Sequence, residues 1–145
     1  MALHLIKLCV GCDTVKDLSD WIRQKLKDRR KRPGPRQHIH RTRMVPKRAA
    51  ELVDGGSLYW VIRGQVMCRQ RLLAVRAFVD KGGIGRCRLV LQPKVVLVEP
   101  RPWRAFQGWR YLELSDAPRD LDRAAPGARD MPEAMRRELR ELGLL

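Results

Sequence analysis

The sequence has no long apolar run. No stretch approaches the roughly 18–20 apolar residues that a membrane-spanning helix needs. The N-terminal MALHLIKLCVGC carries only a short apolar segment, without a basic leader region and a small-residue cleavage site around it. A cytoplasmic protein with no membrane partner is the expectation. Catalytic signatures are missing as well: there is no GxSxG nucleophile elbow and no HExxH helix, and histidine occurs only three times. No acidic residue lies between Asp28 and Glu51. His38 and His40, two apart on one strand face, therefore have no nearby carboxylate to complete a metal site. Cysteine is limited to four. Cys9 and Cys12 have ligand spacing, but Cys68 and Cys87 form no second knuckle, and the pair lacks the βαβ setting of a redox motif. These absences lead to the expectation of no metal, no cofactor and no catalytic residue; Cys9 and Cys68, in apolar strand patterns, read as small hydrophobes, and a redox or metal role for Cys9 and Cys12 stays open.

Basic charge is abundant. Thirty-one Lys and Arg stand against sixteen Asp and Glu, a net +15 over 145 residues. The excess is uneven: residues 1–112 carry 25 basic and 8 acidic groups, residues 113–145 carry 6 and 8. A basic body with a near-neutral tail points to a polyanionic partner, of which nucleic acid is the commonest. A GC-rich coding bias toward arginine would give a similar composition.

Patterning gives the elements. Residues 3–10 read as a buried strand. Thr14 and Asp17 have capping-box spacing, and Val15, Leu18, Ile22 and Leu26 repeat at helical intervals over 14–28. The basic DRRKRPGPRQ breaks at Pro33, Gly34 and Pro35 as a loop. A strand over 38–44 and a short helix over 46–54 follow. Next comes a hairpin in which Leu58, Trp60 and Ile62 alternate with Tyr59, Val61 and Arg63, turning at Gly64-Gln65. Strands at about 86–91 and 94–99 flank Pro93, and WRYLEL alternates as a last strand. Residues 122–145 read as a C-terminal segment carrying an amphipathic helix over 131–142, beyond a single basic domain of 1–121. Short turns between strands require mostly antiparallel pairing. The predicted fold is α+β: a small curved sheet or barrel of five or six strands with two or three flanking helices.

Two resemblances follow from these segments. HLIKLCVGCDTVKDLSDW, RTRMVPKRAAELVDGGSLYWVIRGQVMCRQRLLAVR and RPWRAFQGWRYL together resemble an uncharacterised alphaproteobacterial family known only as a domain of unknown function, over about residues 3–121. Thr42-Arg43, the run Glu51 to Gly56, and Trp60 to Arg71 are similar in order to the pseudouridine-synthase-and-archaeosine-transglycosylase (PUA) superfamily, with its ASCH and EVE branches. That resemblance implies a small curved barrel that binds RNA or a modified base in a basic cleft. The chain lacks the Lys/Thr/Glu arrangement of hydrolytic ASCH relatives, so the resemblance implies binding rather than hydrolysis.

The leading expectation is a nucleic-acid-binding module, RNA favoured. Arg41, Arg43, Lys47, Arg48, Arg63, Arg69, Arg71, Arg104 and Arg110 are the phosphate candidates. Tyr59, Trp60, Trp103 and Trp109 are the stacking candidates, with His40 and Thr42 alongside. If the Leu58/Ile62 face is core, Trp60 is packing and Tyr59 is the better stacking candidate beside Arg63. The arginines of the hairpin would then form a stripe on the open face. The alternatives are a hydrolase acting on a nucleotide or modified nucleoside, using His40, Thr42 and Lys47, and a protein-interaction domain using the acidic tail.

Overall fold

A computed structural model describes residues 3–29, 37–104, 106 and 108–121. The amphipathic helix expected over 131–142 lies outside the described residues. Seven strands form one mixed, open, curved sheet: β1 (His4–Leu8), β2 (His38–Thr42), β3 (Ser57–Ile62), β4 (Gln65–Val79), β5 (Gly85–Leu91), β6 (Val96–Pro102) and β7 (Trp109–Leu112). Two helices accompany them, α1 (Val15–Arg29) and α2 (Ala49–Val53). The α+β expectation holds in this form, with seven strands rather than five or six. No helix among the described residues is long and apolar enough to cross a membrane.

Local chemistry accounts for the start of α1 and for the β3–β4 turn. The Thr14 hydroxyl accepts from Asp17 N–H at 3.1 Å and the Asp17 carboxylate accepts from Thr14 N–H at 3.1 Å, a reciprocal capping box that starts α1. Val15, Leu18 and Ile22 form the buried stripe of the helix. Between β3 and β4 the turn falls at Arg63-Gly64, one residue earlier than the sequence suggests. Both residues have positive φ, 51° and 75°, as a two-residue hairpin loop of type I′ requires.

β4 organises the sheet. Its first half pairs with β3 on one edge and with β6 on the other. Its second half, beyond a bulge between Leu72 and Ala74, pairs with β5. β5 and β6 follow one another along β4 in antiparallel register, from Val79 opposite Gly85 to Gln65 opposite Pro102. Pro93 sits in the break between them. β2 closes one side by pairing with β5. β1 pairs with β3 in parallel and with β7 in antiparallel fashion on the other side. Among the described residues only the β1–β3 pair is parallel, and its connection carries α1 and α2, as a parallel pair needs a long crossover.

The sheet is buried on both faces at β3. Leu58, Trp60 and Ile62 pack with α1, Leu5, Leu89 and Leu91 in the larger core. Tyr59 and Val61 pack with Ile6, Val66, Val98 and Leu112, under Trp103 and Phe106, in a smaller core. The expectation that one face of the hairpin stays open fails for β3. A central strand with neighbours on both edges and cover on both faces has no solvent side.

Two substitutions test this framework. A Cβ on Gly56 would stand 2.1 Å from the Leu3 carbonyl oxygen and 2.3 Å from that of Leu52. Both are backbone atoms, so Gly56→Ala is expected to lower the unfolding free energy by about 2 kcal/mol or more in urea titrations. Arg63 holds a left-handed conformation with its side chain exposed. Arg63→Asn, which tolerates that conformation, should raise stability by about 0.5–1 kcal/mol in the same assay.

Candidate functional site

Strand alternation and pairing register place three arginines side by side. On β2, Arg41 lies opposite Arg88 of β5. Arg88 in turn lies opposite Arg76 of β4. Residues directly opposite share a face, so the three guanidinium-bearing side chains form one rung across three adjacent strands, with Cα atoms spread over about 10 Å. They point away from α1, because Cys87, Leu89 and Leu91, which alternate with Arg88, belong to the core. Arg41 and Arg76 are exposed and Arg88 is half-buried. Phe78, two residues beyond Arg76, lies under the rung: the Arg88 guanidinium is 4.1 Å and that of Arg41 5.9 Å from its ring centre. Arg86 shares the face but is held by Asp80, which also accepts from the Gly82 and Ile84 N–H groups of the turn. Among the described residues, Arg41, Arg76 and Arg88 have no carboxylate partner.

Lys25 of α1 extends the cationic edge. Its ammonium donates to the Ile39 carbonyl of β2 at 3.4 Å and stands 3.9 Å over the Trp21 ring. Burial, and the neighbouring charge of Arg41, hold its pKa below the usual lysine range. Arg71, on the same side of β4 before the bulge, is exposed too.

Behind this face, on the core side of β2, lies a second constellation. His38 and His40 alternate with Ile39 and Arg41 and point inward. Trp21 meets both imidazoles edge to face, with ring centres 5.3 and 6.1 Å apart, and Trp60 meets His40 at 5.1 Å. Gln70 ties the group together. Its Oε1 accepts from the Trp60 indole N–H at 2.9 Å and its Nε2 donates to the Gln92 carbonyl at 2.9 Å. His38 Nδ1 lies 3.2 Å from Gln70 Nε2 and 3.3 Å from Oε1, so its tautomer decides which way that bond runs. The Nε2 atoms of both histidines are buried, with no hydrogen-bond partner among the described residues. Burial is the main cause that pushes both pKa values down, His38 to about 4 and His40 to about 3; Lys25 adds to the effect at His38, and Lys7, His38 and Lys25 at His40. Both rings are therefore neutral at pH 7. No group of three His, Cys, Asp or Glu that could hold a metal occurs among the described residues.

The other candidates from sequence are dispersed. Trp60 is 1% and Tyr59 4% exposed, which leaves neither ring at the surface for a base to stack on. Trp109 is buried, its indole N–H donating to the Met44 carbonyl at 2.8 Å. Trp103 is half-buried over the smaller core. Thr42 is buried and donates to the same Met44 carbonyl. Arg48 pairs with Glu51 and Glu113 beside the Tyr111 ring. Arg69 donates two hydrogen bonds to Asp120, at 2.6 and 2.7 Å, and one to Ser57. Arg63 is in the hairpin turn, 3.8 Å from Asp13. Arg43, Lys47, Arg104 and Arg110 are exposed, with Arg110 5.1 Å from the centre of Phe106. Of the candidates, Arg41 alone belongs to the rung. Arg76, Arg88 and Phe78 were not among them. The alternation of Arg86 and Arg88 with Cys87 and Leu89 marks an outward face, but the cross-strand register that aligns them is not readable from one strand.

The histidine pair has a measurable consequence. Unfolded, each imidazole titrates near 6.5; folded, each titrates lower. Below pH 6.5 the unfolded chain binds more protons, so stability falls as pH drops toward the folded-state values. The slope is up to about 1.4 kcal/mol per pH unit per histidine. Urea unfolding between pH 7 and 4.5 should show this decline. A variant with both His38→Gln and His40→Gln should show a flatter one.

Comparison with known proteins gives a family but no activity. No curated protein matches the chain, and no solved structure does. A family model described as protein of unknown function (DUF1489) matches residues 5–145. The match extends past the 3–121 core on which the sequence resemblance rests and takes in the C-terminal segment. With all but its first four residues matched, the chain belongs to the DUF1489 family of proteins of unknown function.

Proposed function

We propose that the protein binds single-stranded nucleic acid, RNA in preference to DNA, on the outer face of β2, β5 and β4. The observation that carries this reading is the rung Arg41–Arg88–Arg76. Like charges directly opposite one another across strands destabilise a sheet. Here three such groups stand in register with no carboxylate between them among the described residues. A polyanion laid across the rung offsets the repulsion and gains charge-assisted, bidentate phosphate contacts. The chain's net charge of +15 acts in the same direction by raising the local concentration of such a ligand. A gently curved sheet face suits a single strand rather than the major groove of a duplex, which admits a helix or a narrow ribbon. Guanidinium groups add stacking planes for unpaired bases. The resemblance of Thr42-Arg43, Glu51 to Gly56 and Trp60 to Arg71 to the PUA superfamily supports RNA as the ligand, and a cytoplasmic site of action goes with it.

The reading is tested by fluorescence polarisation with single-stranded RNA, single-stranded DNA and duplex at 50 and 200 mM salt. The wild type should bind single strands with marked salt dependence. The triple variant R41A/R76A/R88A should lose at least tenfold in affinity, and its slope of log K against log salt should shrink by about 2 units, for three lost phosphate contacts at about 0.7 each. Its urea midpoint should stay level or rise, since repulsion is relieved. Absence of wild-type binding at 50 mM salt overturns the reading.

A further inference from the structure

The segment Cys9-Val10-Gly11-Cys12, which joins β1 to α1, takes no part in the arginine face. The Cys12 N–H donates to the Cys9 carbonyl at 3.4 Å, the closing bond of a β-turn. Gly11, at the third position of that turn, has φ +84°, as a type II turn demands. A β-turn holds its first and fourth Cα atoms within about 7 Å, and a disulfide spans about 4.4–6.8 Å. The backbone thus already holds the two cysteines at bridging distance. Both thiols are reduced in this structure. The turn is open to solvent: Val10 is 81% exposed, and nothing lies within 4 Å of where a Gly11 Cβ would stand. Cys12 is half-buried and Cys9 fully buried.

We propose that Cys9 and Cys12 form a reversible disulfide, a two-electron couple that exchanges with small disulfides of the glutathione type. In the first step the Cys12 thiolate attacks one sulfur of oxidised glutathione; that S–S bond breaks and one glutathione thiolate leaves and is protonated. In the second step Cys9, having lost its proton to solvent, attacks Cys12 Sγ; the mixed disulfide breaks and the second glutathione thiolate leaves. The protein dithiol is oxidised by two electrons, and one oxidised glutathione becomes two reduced ones. Cys12 is the attacking sulfur because it is the more accessible of the two. Burial pushes both thiols up, Cys9 the further, and Asp17 and Asp13 add to this at Cys12. Thiolate is therefore scarce at neutral pH, and exchange quickens as pH rises. The loop closed spans only four residues, where the chain-entropy gain from a cross-link is smallest. The bridge is thus a switch between two folded forms and adds little as a staple.

The experiment uses the full chain, incubated natively at pH 8 with excess oxidised glutathione, alkylated and digested with trypsin. Cleavage after Lys7 and Lys16 yields the peptide of residues 8–16, which contains Cys9 and Cys12 and neither of the other cysteines. The expected product is that peptide, unalkylated and lighter by two hydrogens, with Cys68 and Cys87 still alkylated; reduced glutathione should reverse it. Cys9→Ser should trap glutathione on Cys12, and Cys12→Ser should leave Cys9 unmodified. Doubly alkylated peptide after prolonged exposure overturns the proposal. So does a mixed disulfide that never closes, or a bridge from Cys9 to Cys68. None of these results depends on nucleic-acid binding.

Discussion

β4 serves two sheet segments at once, and the rest of the molecule depends on how it does so. Its first half needs hydrogen-bond partners on both edges and finds β3 and β6; its second half takes β5. The bulge between Leu72 and Ala74 makes this possible. A bulge adds one residue, bends the strand and shifts which side chains face inward. Leu72 points into the larger core before it, and Val75 packs against that core beyond it. Arg76 and Phe78 consequently emerge on the outer face. Were the same residues to run on without the bulge, the unbroken alternation would turn Arg76 and Phe78 inward, to the side of Cys87 and Leu89.

Alternation along β2 makes its two faces chemically opposite. Inward, His38 and His40 are stripped of water, kept neutral and held by Trp21, Trp60 and Gln70. Outward, Arg41 joins Arg88 and Arg76 in a fully charged row. The strand is only five residues long, so these environments are separated by little more than its own thickness. Lys25 lies at their boundary, its ammonium on the edge carbonyl of Ile39. Keeping the imidazoles uncharged avoids adding buried positive charge behind a face already crowded with it.

The tryptophans show what sequence reading left open: Trp60 is packing, as the alternation allowed, and Trp109 is buried too. Trp60 and Trp109 sit among arginines in the sequence, which suggests a stacking surface. In the fold, Trp60 belongs to a strand covered on both faces, and Trp109 donates its indole N–H to a backbone carbonyl. Proximity along a strand alternates between faces, so neighbours in sequence are separated by the sheet. Two of the candidate arginines were similarly spoken for: Arg69 of the hairpin by Asp120, fifty-one residues away, and Arg48, before α2, by Glu51 and Glu113. The long-range partners, Asp120 and Glu113, carry no local signature, whereas Glu51 stands only three residues from Arg48.

Local rules sufficed for much else. The capping box of Thr14 and Asp17, the apolar stripe of α1, the strand segments, the break at Pro93 and the predominantly antiparallel pairing all follow from interactions between residues a few positions apart. The basic excess, and with it the polyanion reading, is a property of composition alone. Register is different in kind. Which arginine stands opposite which, and whether β3 keeps a wet face, depend on the packing of segments distant in the chain. The sequence by itself determined the elements and the sign of the charge, because those depend on local periodicity and on counting. Tertiary structure alone decided which charges are left unpaired and which rings are buried, because burial and pairing are properties of the assembled sheet.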